Sequence, residues 1–245
     1  MRISYIIPAY NEEKYIEQCV RSVFEQKHIA DFEVIVVNNN SKDQTLEIVR
    51  TQFPEAKVVT ETRQGMTIAR NRGAKEATGD MLVFFDADVV VPPHWEGRML
   101  ERFSQNQKLV GISGPYRFYD LPRRYKFIEF IDFHILYPFV GELILKKILK
   151  KGALWNGGNL AVRREAFNEV GGFSEEIVFY GEDSDLARKM IKEGDIAFLQ
   201  SVWVWSSARR LLKGNPVREG LRYVAEYAWF FMTNKSREKS YKEVR

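Results

Sequence analysis

An α/β fold, built on a mostly parallel sheet with helices on both faces, is predicted by three features of this 245-residue chain. Short apolar runs alternate with helical patterns through its first half. The polar residues that end those runs fall where the loops of a parallel sheet gather. The composition, 45% hydrophobic and 29% charged, is that of an ordinary globular protein and excludes wholesale disorder and a polytopic membrane protein. At roughly 100 to 200 residues per domain the length allows one large domain or two small ones. No internal repeat or low-complexity linker divides the chain, so one continuous domain is expected.

Taken in order, the apolar runs at 3–7, 32–37, 57–59 and 81–85 each precede a segment of helical periodicity, at 14–25, 43–52, 66–77 and 93–106. Such βα alternation buries a parallel sheet between helices, and ligands then sit at the carboxyl ends of the strands. Three of those ends are polar: Ala9-Tyr10-Asn11-Glu12, Asn38-Asn39-Asn40-Ser41 and Asp86-Ala87-Asp88. A further strand is expected at 109–114. At Pro115 and Pro122 the pattern changes into an apolar stretch at 125–149, which runs into Lys146-Lys147-Ile148-Leu149-Lys150-Lys151. The turn Asn156-Gly157-Gly158-Asn159 leads into a strand at 160–163, a helical segment, the loop Phe179-Tyr180-Gly181-Glu182-Asp183 and a helix to about 193. The chain closes with strands at 196–199 and 202–205, the basic Ser207-Ala208-Arg209-Arg210, an aromatic helix after Pro216 and a charged tail from Lys235.

The 37 Lys and Arg against 33 Asp and Glu leave a net charge of +4, which suits anionic ligands or a membrane surface but is too small to imply nucleic acid. Cys19 has no second cysteine to pair with and falls with Ile16, Val20 and Val23 at helical spacing, a core position. The apolar run at the amino terminus is too short for a signal peptide, and no stretch reaches about 18 uncharged apolar residues, so a cytoplasmic protein without a spanning helix is expected. His28, His94 and His134 belong to no ligand constellation and are read as structural or surface groups.

Asp86 and Asp88 are the sharpest feature. Two carboxylates one residue apart, directly after a strand, can both reach one loop-bound cation, and hard oxygen donors suit Mg²⁺ or Mn²⁺. An ion held by one or two carboxylates keeps the rest of its shell for waters and substrate phosphates, which points to a nucleotide diphosphate.

Further segments stand in a fixed order around this pair: Ser4-Tyr5-Ile6-Ile7-Pro8-Ala9-Tyr10-Asn11-Glu12, Val36-Val37-Asn38-Asn39-Asn40-Ser41-Lys42-Asp43-Gln44-Thr45, Gly65-Met66-Thr67-Ile68-Ala69-Arg70-Asn71-Arg72-Gly73 and Gly181-Glu182-Asp183. Over roughly residues 2–210 the chain resembles an inverting glycosyltransferase of family 2 with the GT-A fold. The resemblance implies a catalytic domain at 1–210, which includes the apolar helical segment at about 124–150. An amphipathic aromatic helix and basic tail follow at 211–245.

The resemblance also implies roles. Pro8, Tyr10 and Glu12 would wrap the nucleotide base and ribose. Asn39 stands where the family often has an aspartate that reads the base; a uridine nucleotide is favoured, with guanosine and thymidine open. Arg70 would lie near the donor pyrophosphate, Asp86 near the ribose or sugar, and Asp88 on Mn²⁺ or Mg²⁺. Asp183 would be the general base that takes the proton of the acceptor hydroxyl, with Glu182 orienting the loop or touching a sugar hydroxyl. As residues alone, Glu182 and Asp183 would equally suit the first turn of a helix. Asn156, Gly158 and Asn159 would line the donor sugar and acceptor.

The aromatic and aliphatic bulk at 127–145, beside a lysine cluster, is what an in-plane interfacial helix needs. Arg209, Arg210 and the aromatic run 223–231 would extend that surface. The acceptor is therefore expected to be lipid-linked or a membrane-borne glycan, met at the anionic cytoplasmic face, with Arg209 and Arg210 on a phosphate of the donor or lipid carrier. A buried core helix and a dimer interface are the alternatives for this segment, and the oligomeric state stays open. A nucleotidyltransferase, which would release pyrophosphate, is the rival enzyme; a nucleotide-sugar or glycan-binding module without turnover is the rival of another class.

Overall fold

Strand β1 (Arg2–Ala9) is apolar at nearly every position because both of its faces are covered. Ile3, Tyr5 and Ile7 enter one hydrophobic layer and Ile6 the other, as expected of a strand inside a sheet buried on two sides. The computed structural model describes residues 1–131, 134–135, 139, 153–177 and 181–233. Most of the apolar stretch after 131, the lysine run 146–151, Phe179, Tyr180 and the charged tail lie outside the described residues.

In chain order β1 is followed by α1 (Ile16–Phe24), β2 (Asp31–Asn38), α2 (Thr45–Gln52), β3 (Lys57–Thr60), α3 (Met66–Glu76), β4 (Met81–Phe85) and α4 (Trp95–Gln105). Then come β5 (Leu109–Ser113), β6 (Tyr116–Phe118), α5 (Lys126–Ile131), β7 (Asn159–Arg163), α6 (Arg164–Glu169), α7 (Glu182–Met190), β8 (Asp195–Phe198), β9 (Val204–Ser206), α8 (Arg209–Leu212) and α9 (Pro216–Thr233). A seven-stranded sheet has the order β3-β2-β1-β4-β7-β5-β8. Strands β1 to β4 pair in parallel and so do β5 and β8, while β7 is antiparallel to both of its neighbours. The expected mostly parallel α/β sheet is present, with one reversed strand inserted. Because β7 runs backwards, the loop that leads into it emerges at the same edge as the loops leaving β1, β2 and β4.

One layer packs α1 and α4 on the sheet through Cys19, Val20, Trp95 and Met99; the other packs α3, α6 and α7 through Ala69, Phe167 and Leu186. Cys19 is fully buried, as its spacing predicts. Helix α3 approaches the sheet closely at Gly73, where a Cβ would overlap Ile6 Cγ2 and stand 3.0 Å from Val37 Cγ2. Strands β6 and β9 form a separate two-stranded sheet. It delivers the chain from β9 into α8 beside the carboxyl edge of the main sheet. Helix α8 spans residue 210, and α9 is anchored by Phe230, which is buried against Gly181.

Candidate active site

A cleft of about 570 Å³ opens over the carboxyl edge of β1, β2 and β4, a volume suited to a small-molecule ligand. Pro8, Tyr10 and Glu12 line it from the loop after β1, Asn39 from the loop after β2, and Asp86 and Asp88 from the loop after β4. Asn156 and Gly158, Glu182 and Asp183 at the head of α7, and Arg209 and Arg210 at α8 complete the lining predicted from sequence. Tyr223, Val224 and Tyr227 of α9 close the far side, with Ile128 of α5 and Leu211.

Arg70 projects from α3 into the centre of this arrangement with its side chain buried. Its Nη2 donates to Asp86 Oδ1 at 2.7 Å, its Nη1 reaches Glu182 Oε1 at 3.4 Å, and its guanidinium lies 5.3 Å from the Phe173 ring centre. Arg70, expected near the donor pyrophosphate, therefore braces the β4 loop against the head of α7. Tyr116 holds the other side of the same carboxylate, its Oη 3.5 Å from Asp86 Oδ2 while accepting the Gly158 N–H at 3.1 Å. Residue 158 must be glycine, because a Cβ there would overlap the Asp86 carboxyl.

Arg209 carries the second cationic contact. Its Nη1 and Nη2 donate to the two Glu12 oxygens at 2.7 and 2.6 Å, and its Nε stands 3.1 Å from Asp88 Oδ2. The planar fork suits this bidentate grip. Arg209 is thus engaged with the carboxylates of Glu12 and Asp88. Burial, reinforced by the charges of Asp86 and Glu12, pushes the Asp88 carboxyl up to about 7 in spite of Arg209. Burial likewise raises Glu12.

The donor set suits a hard divalent ion. Asp88 and Asp86 offer carboxylate oxygens one residue apart, and the Arg209 guanidinium already stands as a cation against Asp88. Among the described residues no group of three or more His, Cys, Asp or Glu is arranged to hold a metal. Mn²⁺ or Mg²⁺ would be held by Asp88 with Asp86, completing its shell with water and phosphate oxygens.

Asp183 sits at the first turn of α7 and is 4% exposed. Its Oδ1 accepts the Ser184 N–H at 2.7 Å and its Oδ2 the Tyr227 hydroxyl at 3.1 Å. Burial, and then the neighbouring charge of Glu182, hold its carboxyl well above the ordinary range; Ser184, Arg70 and Tyr227 oppose that shift. A buried carboxylate so raised is suited to accept a proton near neutral pH.

Two of the predicted residues are tied into the fold by their side chains. Asn39 is spent inside the fold: its Nδ2 donates to the carbonyls of Glu61 at 2.9 Å and Arg63 at 2.8 Å, and its Oδ1 accepts the Gly65 N–H at 2.9 Å. It shapes the loop that starts α3 while lining the cleft. Asn159 is fully buried behind the cleft wall, donating to the Val202 carbonyl at 2.8 Å and accepting from Trp95 Nε1 at 3.0 Å. Asn156 reaches the cleft, although its Nδ2 donates to the Gly114 carbonyl at 2.9 Å. Tyr116 and Tyr227 were missed by sequence reasoning. Tyr227 did leave a signal, since Tyr223 and Tyr227 are four apart on one helix face.

The family described as Glycosyl transferase family 2 matches residues 4–171, and one described as N-terminal domain of galactosyltransferase matches residues 150–200. A Methanococcus voltae protein named dolichyl N-acetyl-α-D-glucosaminyl phosphate 3-β-D-2,3-diacetamido-2,3-dideoxy-β-D-glucuronosyltransferase is 27% identical, over 80% of this chain and 56% of its own length. The chain spans 53 to 62% of the length of other curated relatives it matches. Among solved structures, a mannosyltransferase of Pyrobaculum calidifontis in complex with GDP-mannose and Mn²⁺ superposes with a TM-score of 0.65 at 23% identity, over 91% of this chain and 64% of that one. TarS of S. aureus in complex with UDP-GlcNAc gives 0.65 at 22%, over 84% of this chain and 58% of that one. The fold is GT-A-like. The chain belongs to glycosyltransferase family 2.

Proposed function

We propose that this chain transfers a glycosyl group, with inversion, from a nucleotide diphosphate donor to a hydroxyl of a lipid-linked or membrane-borne acceptor. The observation that carries the reading is one cleft lined by Asp86, Asp88 and Asp183, in which the buried Arg70 bridges Asp86 to Glu182, the residue before Asp183. In one displacement the acceptor oxygen bonds to the anomeric carbon, the bond from that carbon to the diphosphate oxygen breaks, and Asp183 takes the hydroxyl proton. Inversion requires the base and the departing diphosphate on opposite faces of the sugar, and the cleft has carboxylates at two separate loops. Mn²⁺ or Mg²⁺, when bound, supplies positive charge to the leaving diphosphate. Pro8 and Tyr10 flank the nucleoside, Arg70 keeps Asp86 and Glu182 in register, and Glu182 borders the sugar. Supporting a lipid-linked acceptor, Ile128, Leu211 and Val224 make the cleft wall near α9 apolar, and the Methanococcus relative is named for a dolichyl phosphate substrate.

A uridine donor is the first to test, followed by guanosine and thymidine donors. UDP, GDP, dTDP and CDP, each with and without Mn²⁺, are compared by thermal shift, because a ligand of the native state alone raises stability. One nucleotide is expected to stabilise in a metal-dependent way. Asp183→Asn should keep that shift and lose glycosyl transfer by about a hundredfold or more. Near-normal turnover by the variant would reject Asp183 as base, and pyrophosphate as the released product would favour nucleotidyl transfer.

A further inference from the structure

The carboxylate at the head of α7 is held by a second helix, 44 residues further along the chain. Tyr227 stands in the middle of α9, and its hydroxyl donates to Asp183 Oδ2 at 3.1 Å. The contact is built into the packing. Phe230, three residues on and therefore on the same helix face, is 2% exposed and rests against Gly181, the residue just before α7. Gly181 has φ +100°, and a Cβ on it would overlap the Phe230 ring, so the turn into α7 and the seat of α9 demand the same glycine. Asp183 and Tyr227 are thus held relative to one another by the contact of Phe230 with Gly181 beside them.

We propose that Tyr227 is the positioning residue of the general base, a role that rests on the assignment of Asp183 to proton abstraction. A carboxylate oxygen carries two lone-pair sites. The Ser184 N–H fixes Oδ1, and the Tyr227 hydroxyl occupies one site of Oδ2, leaving the other for the acceptor hydroxyl. Among the described residues, those that act most strongly on this carboxylate are Glu182 and Ser184 of α7, Arg70 of α3 and Tyr227 of α9. Of these only Tyr227 touches the oxygen that takes the proton. Because a hydrogen bond to the ionised form favours it, loss of the hydroxyl makes the carboxyl hold its proton to higher pH. It also leaves Oδ2 without the contact that orients it, while Ser184 still holds Oδ1.

The test is an infrared titration of the whole chain as wild type, Tyr227→Phe and Asp183→Asn. The carboxylic C=O band absent from Asp183→Asn belongs to Asp183. In Tyr227→Phe its midpoint should move up by about one pH unit or more, lowering the ionised fraction about tenfold on the acid limb, with the thermal unfolding midpoint kept. An Asp183 band that titrates identically in wild type and Tyr227→Phe overturns the proposal. Full transfer by Asp183→Asn would instead remove the base assignment, and the infrared midpoint would still report the contact with Tyr227.

Discussion

Asp88 keeps its carboxyl in a pocket where charge is costly. Burial, with Asp86 and Glu12 nearby, pushes it up to about 7, and Arg209 offsets only part of that. In the unfolded chain the same group titrates near about 3.9. Between those two values the native state binds the extra proton, so unfolding releases it and stability falls as pH rises from about 4 to about 7. The contribution is fully present below the unfolded value and is lost through the native one. In metal-free buffer, urea denaturation of the wild type should therefore show a pH slope over this window that Asp88→Asn removes, worth at most about 4 kcal/mol at roughly 1.4 kcal/mol per unit. Parallel slopes for the two proteins would mean that Asp88 is ionised in the native state. Arg70 shows the opposite economy: a buried guanidinium is tolerated because Asp86 and Glu182 accept from it and Phe173 lies beside it.

Helix α3 holds Arg70 at the cleft because Gly73, on the same face one turn later, lets the helix settle onto β1 and β2. Gly73→Ala should cost about 1 to 3 kcal/mol by overpacking against Ile6 and Val37, and should weaken nucleotide-dependent stabilisation as α3 lifts. Gly97→Ala in α4 is the matched control. Its added Cβ would meet only Ile29 Cδ1 at 3.4 Å, so helix propensity should leave it neutral or stabilised by up to about 1 kcal/mol. Equal denaturation midpoints for the two variants would rule out the close approach of α3. The parallel strands were legible because burial on two faces writes them as unbroken apolar runs. Strand β6 was not, since its three residues are only half-buried and it lies just past Pro115. Nor was the reversal of β7, which depends on pairing with β4 and β5 far away in sequence. The carboxylates of the site were legible from their places at strand and helix ends. Their partners were not: Arg209 meets Glu12 across 197 residues and Tyr227 meets Asp183 across 44. The backbone bonds of Asn39 and Asn159 were not legible either, because a polar residue beside a cleft looks the same in sequence whether it faces ligand or satisfies backbone.

Across the whole molecule the exposed large apolar side chains are unevenly spread. Phe127, Phe130 and Ile131 of α5, Ile135 and Phe139 after it, and Leu212, Val217, Leu221, Val224 and Met232 of α8 and α9 are exposed, against Met1, Ile29 and Tyr119 elsewhere among the described residues. Helices α5 and α9 meet where Ile128 packs beside Gly220, 3.8 Å from the place of its missing Cβ. Arg123, Arg124, Lys213, Arg218 and Arg222 lie exposed around them. Among the described residues no helix is long and apolar enough to cross a membrane. Under the proposed function, contact with an anionic lipid layer would take these apolar groups into the interface and bring the cations to headgroups. The same two helices form the apolar end of the cleft, which would let an acceptor pass from the lipid layer to Asp183 without crossing water. Flotation with phosphatidylcholine and phosphatidylglycerol vesicles should retain the protein at low salt and release part of it at high salt as the ionic share is screened. The double variant Phe130→Ser and Leu221→Ser should weaken retention at least about tenfold, since a fully transferred side chain of this size contributes about 1.5 to 3 kcal/mol, with thermal stabilisation by nucleotide unchanged. No retention at low salt, together with transfer to a soluble acceptor, would mean that this apolar face serves another contact and that the acceptor reaches Asp183 from solution.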